Sequence, residues 1–181
     1  MKLSVDCITL AFDDNKFNVL LTKIRLSTDR FGWDILSEDI KDDDNLDCKT
    51  RYIAQKYTAL EDTFVEQIRV YNKASPETGK RIFSVAYIVL VNMNEHQTVS
   101  RLRYRTQWFP IEIAINLVME SQDIIEFIMQ WLRYKSAQHP YCWNYFQKSL
   151  PYLNFSTYIK SYIKQNSTKE ISKRKFYQLV Y

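Results

Sequence analysis

Two apolar, β-branched runs open the chain. Val5-Asp6-Cys7-Ile8-Thr9-Leu10-Ala11-Phe12 and Phe17-Asn18-Val19-Leu20-Leu21-Thr22-Lys23-Ile24 flank the turn-forming Asp13-Asp14-Asn15-Lys16, and the pattern predicts a β-hairpin. A polar loop containing Gly32 follows. Across residues 45–57 apolar side chains recur at roughly helical spacing through Leu46, Ile53 and Tyr57, so a first helix is expected there. Phe64–Tyr71 returns to strand character, Ala74–Lys80 is a connection by composition, and Ile82–Val91 is the most strand-like run, long enough for a central strand. Thr106–Phe109 predicts a short strand ended by Pro110. Ile111–Ala137 predicts a helix with Ile124, Ile125, Ile128, Trp131 and Leu132 on one stripe, stopped by His139-Pro140.

The rest of the chain offers two short amphipathic helices. Ser156 can cap one with Ile159, Tyr162 and Ile163 inside; Ser172 can cap another with Phe176, Leu179 and Val180 inside. Mixed strands followed by a helical tail point to an α+β or α/β body with an all-α appendage.

Composition narrows the function classes. Apolar residues are 46% and aromatics 15% of 181 residues, which suits a folded protein with a sizeable core. Met1–Asp6 lacks an apolar run of signal-peptide length, and no stretch approaches the about 20 uncharged residues that span a bilayer, so a cytoplasmic protein without membrane contact is expected. Cys7, Cys48 and Cys142 are too scattered for a framework and suit buried apolar roles in a reducing compartment. With His96 and His139 equally isolated, no metal and no cofactor is expected. Gly32 and Gly79 are the only glycines, too few for a Walker-type loop or a Gly-x-Gly-x-x-Gly fingerprint. The net charge of +4 is unevenly spread: residues 1–110 balance 16 basic against 16 acidic residues, residues 111–131 are net −4, and residues 132–181 are net +8. A basic tail of that kind suits an anionic partner, or a solvated surface.

Several segments carry a family resemblance. The hairpin Val5–Ile24, the Trp33 segment, Arg81-Ile82-Phe83-Ser84-Val85-Ala86-Tyr87 and Gln107-Trp108-Phe109-Pro110 resemble the Nudix-related transcriptional regulators. Leu132-Arg133-Tyr134-Lys135, Leu150–Ser156 and Lys173-Arg174-Lys175-Phe176 are similar to that family's linker helix and helix-turn-helix. The resemblance implies an α+β protein: a Nudix-like α/β/α sandwich with a mixed sheet over residues 1–115, a linker helix at 116–138, and an all-α, truncated winged-helix module at 139–181. The family continues into a wing, whereas this sequence stops at Tyr181.

The Nudix motif runs Gly, five residues, Glu, seven residues, Arg-Glu, an aliphatic, any residue, Glu-Glu, any residue, Gly, an aliphatic. Anchored on Trp33, its first Gly falls on Glu38, the next Glu on Asp44, Arg-Glu on Tyr52-Ile53, Glu-Glu on Lys56-Tyr57 and the last Gly on Ala59. Nudix hydrolases hold magnesium on helix carboxylates beside a pyrophosphate, because a hard cation needs oxygen ligands. Ile53, Lys56 and Tyr57 supply none, so no catalytic residue and no enzyme activity is expected. Asp42-Asp43-Asp44 reads first as a solvated turn.

The resemblance implies an effector pocket for a sugar or nucleotide sugar, whether a pentose or an ADP-ribose-like molecule. Arg81 and Arg30 are candidates for phosphate or hydroxyl groups, and Trp33, Tyr87 and Trp108 for stacking, although all three aromatics also suit a core. For duplex DNA, the helix from Ser172 presents Lys173, Arg174, Lys175, Tyr177 and Gln178 outward, with Lys160 and Lys164 upstream adding attraction to the backbone. The expected protein is a homodimeric, ligand-responsive DNA-binding regulator. Two other readings stay open: a Nudix-fold ligand-binding or scaffold protein that does not touch DNA, and a hydrolase using relocated carboxylates at Asp42, Asp43, Asp44 and Glu61.

Overall fold

The computed structural model describes residues 2–13, 16–60, 63–74, 81–92, 105–118 and 121–138. The chain divides into two compact units, Met1–Ile125 and Glu126–Tyr181. The first is built on a mixed sheet whose described strands are β1 (Lys2–Asp13), β2 (Lys16–Arg25), β3 (Phe31–Asp34), β4 (Leu36–Asp39), β5 (Phe64–Ala74), β6 (Arg81–Asn92) and β7 (Thr106–Pro110). Their order is β3-β2-β1-β6-β5, with β4 also on β1 and β7 also on β2. The described helices are α1 (Leu46–Thr58), α2 (Ile111–Leu117) and α3 (Gln122–Gln138). Among the described residues no helix is long and apolar enough to cross a membrane.

β1 and β6 pair in parallel from Lys2↔Ile82 to Phe12↔Asn92. Both strands are buried on both faces, which is why their sequences read as nearly continuous apolar runs. Alternation sends Val5, Cys7 and Ala11 of β1, with Val85, Tyr87, Val89 and Val91 of β6, into one core cluster that includes Ile53 and Ala54 of α1. Ile8, Leu10, Ile88 and Leu90 fill the opposite face. That face also holds buried polar groups: the hydroxyls of Ser4 and Ser84 lie 2.6 Å apart, and Tyr71 donates to Asp6. Burial, followed by the Asp6 charge and hydrogen bond, pushes the Tyr71 phenol well above its ordinary range. Burial likewise raises the Cys7 thiol to about 12.

The expected hairpin is present, with β1 and β2 antiparallel in the register Leu10↔Val19 to Asp13↔Lys16. The central-strand reading of Ile82–Val91 holds, since β6 lies between β1 and β5. Three expectations change. The segment read as a polar loop around Gly32 contains β3 and β4, because their alternation over four residues is too short to stand out while cross-strand pairing to β2 and β1 holds them. The helix expected over Ile111–Ala137 is two helices. The β-branched Val118 is extended (φ −71°, ψ 139°) and forms a bridge to Trp33, which breaks the run before α3. In α3, Ile124, Ile125, Ile128, Trp131 and Leu132 are buried as the stripe predicts, and Phe127 with them. Cys48, expected inside, is exposed because it sits away from the buried stripe of α1; Cys142 lies outside the described residues.

Helix α1 has clear local causes. The Asn45 side chain accepts from the Cys48 N–H at 3.0 Å, Asp47 lies in the first turn and Lys56 in the last, matching the helix dipole. The buried stripe is Thr50, Ile53, Ala54 and Thr58; Leu46 and Tyr57 are only half-buried. The helix ends at Ala59, which takes the left-handed conformation (φ 61°, ψ 18°) with its N–H on the Gln55 carbonyl. A Cβ is unfavourable there, so Ala59→Gly should stabilise the protein by about 1 kcal/mol. Thermal unfolding checks this: the midpoint should rise by roughly 2–4 °C, and a fall would contradict the argument.

Candidate functional site

The outward face of α1 meets β4 through charge. Glu38, in the middle of β4, receives the Lys56 ammonium on Oε1 at 2.6 Å and the Lys49 ammonium on Oε2 at 3.3 Å. Lys49 also lies 3.7 Å from Asp44 Oδ2. Lys49 and Lys56 are seven residues apart, two turns on one helix face, and each stands 5.9 Å from the Tyr52 ring centre; Lys56 is 5.1 Å from that of Tyr57. Two ammonium groups thus face two carboxylates in a charge-balanced cluster.

The balance shows in the ionisation of its members. Burial opposes the charge on Glu38, but hydrogen bonds from Lys56 and Lys49 outweigh it and hold the carboxyl below its ordinary value. The hydrogen bond to Glu38 holds Lys56 above its own, against partial burial.

A second tie runs from the first turn of α1 to the sheet. The Tyr87 hydroxyl donates to Asp47 Oδ1 at 2.9 Å, with Gln67 Oε1 at 3.3 Å. Burial, then the Asp47 hydrogen bond and charge, raises the phenol to about 12. Asp42 and Asp43 form an exposed turn, closed by the Lys41 N–H on Asp44 Oδ2 at 3.0 Å, as the solvated-turn reading expects. Glu61 lies outside the described residues.

The sequence-derived effector candidates divide. Tyr87 and Trp108 belong to the same core cluster. Trp33 is half-buried and meets Phe109 edge-on at 4.9 Å. Arg30 is exposed in the β2–β3 connection, where its carbonyl accepts from the Leu26 N–H at 2.9 Å; Arg81 is exposed at the start of β6. The DNA-contact candidates Lys160, Lys164, Ser172, Lys173, Arg174, Lys175, Tyr177 and Gln178 lie outside the described residues. Sequence reading missed Lys49, Asp47 and Gln67, and it gave Glu38 no charged partner. The seven-residue spacing of Lys49 and Lys56 was the available signal for the first; cross-sheet pairing alone brings in Gln67.

No protein-family model matches the sequence, and no curated protein matches it by sequence. Solved structures do. NrtR of Shewanella oneidensis superposes with a TM-score of 0.65 at 18% identity, covering 75% of this chain and 65% of that one. The chain therefore spans slightly less than two thirds of that protein's length. A mutT/nudix family protein of Listeria innocua gives 0.63 at 15% identity over 74% of this chain and 95% of that one. The Ap4A hydrolase of C. elegans, in a binary complex, gives 0.55 at 12% identity over 73% and 98%.

The chain has the Nudix fold. That fold implies a divalent cation in its hydrolases, and the described side chains at the Lys56–Glu38 pair do not suit one. The ammonium of Lys56 already takes the near oxygen of Glu38, and no three His, Cys, Asp or Glu side chains gather as a metal-binding group among the described residues.

A Glu38→Gln/Lys56→Met double-mutant cycle should give a favourable coupling of about 1 kcal/mol at neutral pH, as for a partly exposed pair. The Glu38 contribution is present above its unfolded value near about 4.3 and is lost as pH falls through the depressed folded value. The Lys56 contribution is present below about 10.4 and is lost as pH rises through the raised folded value. Denaturant unfolding at acidic, neutral and alkaline pH should show the coupling only in the middle. A coupling constant across that range would rule the pair out as its source.

Proposed function

We propose that this protein is a ligand-responsive, DNA-binding transcriptional regulator whose Nudix-fold domain has lost hydrolysis and senses a sugar or nucleotide sugar. The observation that carries the reading is the Lys56–Glu38 pair between α1 and β4. In the motif alignment, Lys56 stands where a hydrolase keeps a metal-binding carboxylate. The left-handed Ala59 falls on the motif's final glycine, the place where the backbone favours one, which supports that register.

Structures of NrtR with a 27mer DNA (TM-score 0.65, 19% identity) and of its NUDIX domain with ADP ribose (0.58, 18%) support the two partners, duplex DNA and an ADP-ribose-like effector. The net +8 of residues 132–181 supports the first. Arg30, Arg81 and Trp33 keep exposed surface for an effector, while Tyr87 and Trp108 would shape the site from within the core. The winged-helix identity of the tail, the domain limits, homodimerisation and a cytoplasmic location belong to the same proposal. Regulation requires the effector to favour one arrangement of the DNA-reading modules over another.

The test is a fluorescence-anisotropy titration of the full chain with duplex DNA at several salt concentrations. Affinity should fall steeply with salt, and Arg174→Ala with Lys175→Ala should lower it further at each concentration. ADP-ribose should raise the unfolding midpoint without magnesium-dependent turnover. Failure to bind duplex at low salt would remove the regulator reading; magnesium-dependent hydrolysis lost in Asp44→Asn would restore the hydrolase.

A further inference from the structure

Among the described residues, a pair of cations twice stands against one aromatic ring. In the α1 cluster, Lys49 and Lys56 stand against Tyr52, and Glu38 accepts both. On the β2–β3 hairpin, Lys23 Nζ lies 4.9 Å and Arg25 Cζ 5.9 Å from the Phe31 ring centre. Neither of these cations pairs with a carboxylate among the described residues. The second arrangement resembles the first with its anion missing.

The hairpin makes this a fixed feature. Arg25 is the cross-strand partner of Phe31, and Lys23 that of Trp33. Alternation puts Lys23 and Arg25 on one face, roughly 7 Å apart along the strand, where their like charges repel. The ring offsets part of that repulsion and keeps both cations at the surface, where Phe31 is itself 44% exposed. Two more cations lie nearby in the chain path. Arg105 is exposed, and its carbonyl receives the Lys23 N–H at 3.0 Å; Arg30 is exposed in the connection between the two strands. Opposing them across residues 23–34 are Asp29, exposed, and Asp34, buried with its Oδ1 accepting from the Ile35 N–H. The α1 cluster is neutral by its own residues. The hairpin is not.

We propose that the β2–β3 hairpin is a phosphate-binding surface, with Lys23 and Arg25 as the binding pair and Phe31 as the support that holds them together. A phosphate, like a carboxylate, suits a guanidinium fork beside an ammonium, and it is the anion that the ligands of the regulator reading carry. It can be carried by a free nucleotide sugar or by a nucleic-acid backbone. The inference deepens the regulator reading and rests on it for the choice of ligands.

The test compares the full wild-type chain with a Lys23→Ala/Arg25→Ala variant. Calorimetric titrations use inorganic pyrophosphate and ADP-ribose; duplex anisotropy is read across salt. Both replaced side chains are exposed, so the unfolding midpoint should stay within about 2 °C of the wild type. If the source is a free nucleotide, pyrophosphate and ADP-ribose affinities fall about tenfold in the variant and duplex binding is unchanged. If it is the backbone, the salt slope for duplex becomes shallower by about 2, near 0.9 for each phosphate that is no longer neutralised. Unchanged binding of all three ligands, or a wild-type chain that binds none of them, overturns the proposal. The Arg174→Ala/Lys175→Ala variant, measured in parallel, reports separately on the tail: duplex binding indifferent to it but sensitive to Lys23 and Arg25 would refute the tail's role and retain the hairpin's.

Discussion

The parallel ladder between β1 and β6 is the constraint from which the rest of the first unit follows. It occupies one whole edge of β1, from Lys2 to Phe12, and leaves the other edge to be shared. β4 takes that edge at Ser4–Cys7 and β2 takes it at Leu10–Asp13. The chain must therefore leave the hairpin, return as two short strands and then cross by α1 before β5 and β6 can form. Because both strands of the ladder are buried on both faces, a one-residue slip would exchange Val5 and Cys7 with Asp6 and Ile8 and drive the Asp6 carboxylate into the apolar cluster beneath α1. The hydrogen bond from Tyr71 to Asp6 and the Ser4–Ser84 contact suit one register only.

The parts of this arrangement that were legible in the sequence are those with a long repeat. The hairpin, α1 and β6 each extend for ten or more residues and carry their period plainly. β3 and β4 carry four residues each, and what makes them strands is their pairing with Thr22–Arg25 and Ser4–Cys7, which no local pattern encodes. The break after Leu117 was hidden for the same reason: Val118 is extended where it bridges Trp33, 85 positions earlier in the chain. At the candidate site, Lys56 could be singled out by counting along the motif that the resemblance implies. The partner that now answers Lys56 could not, because Glu38 reaches it across the gap between a strand and a helix.

The helix itself keeps its packing and its surface charge on separate stripes. One stripe of α1, Thr50, Ile53, Ala54 and Thr58, is buried and fixes the helix on the sheet; another, Lys49, Tyr52 and Lys56, faces β4 and solvent. Substitutions on the second stripe leave the buried area of the first untouched, so the cost of changing a side chain there is confined to local charge. A lone Glu38 facing α1 would be a partly buried anion; an ammonium donated from the helix satisfies it with the chain's own residue. A helix closed by such an internal pair is tied to β4 by the chain's own charges. An anionic ligand then gains little from approaching it, since Lys49 and Lys56 are already matched by Glu38 and Asp44. Uncompensated positive charge among the described residues stands instead on the hairpin around Phe31, at a place where the sheet, and not the helix, sets the spacing of the cations.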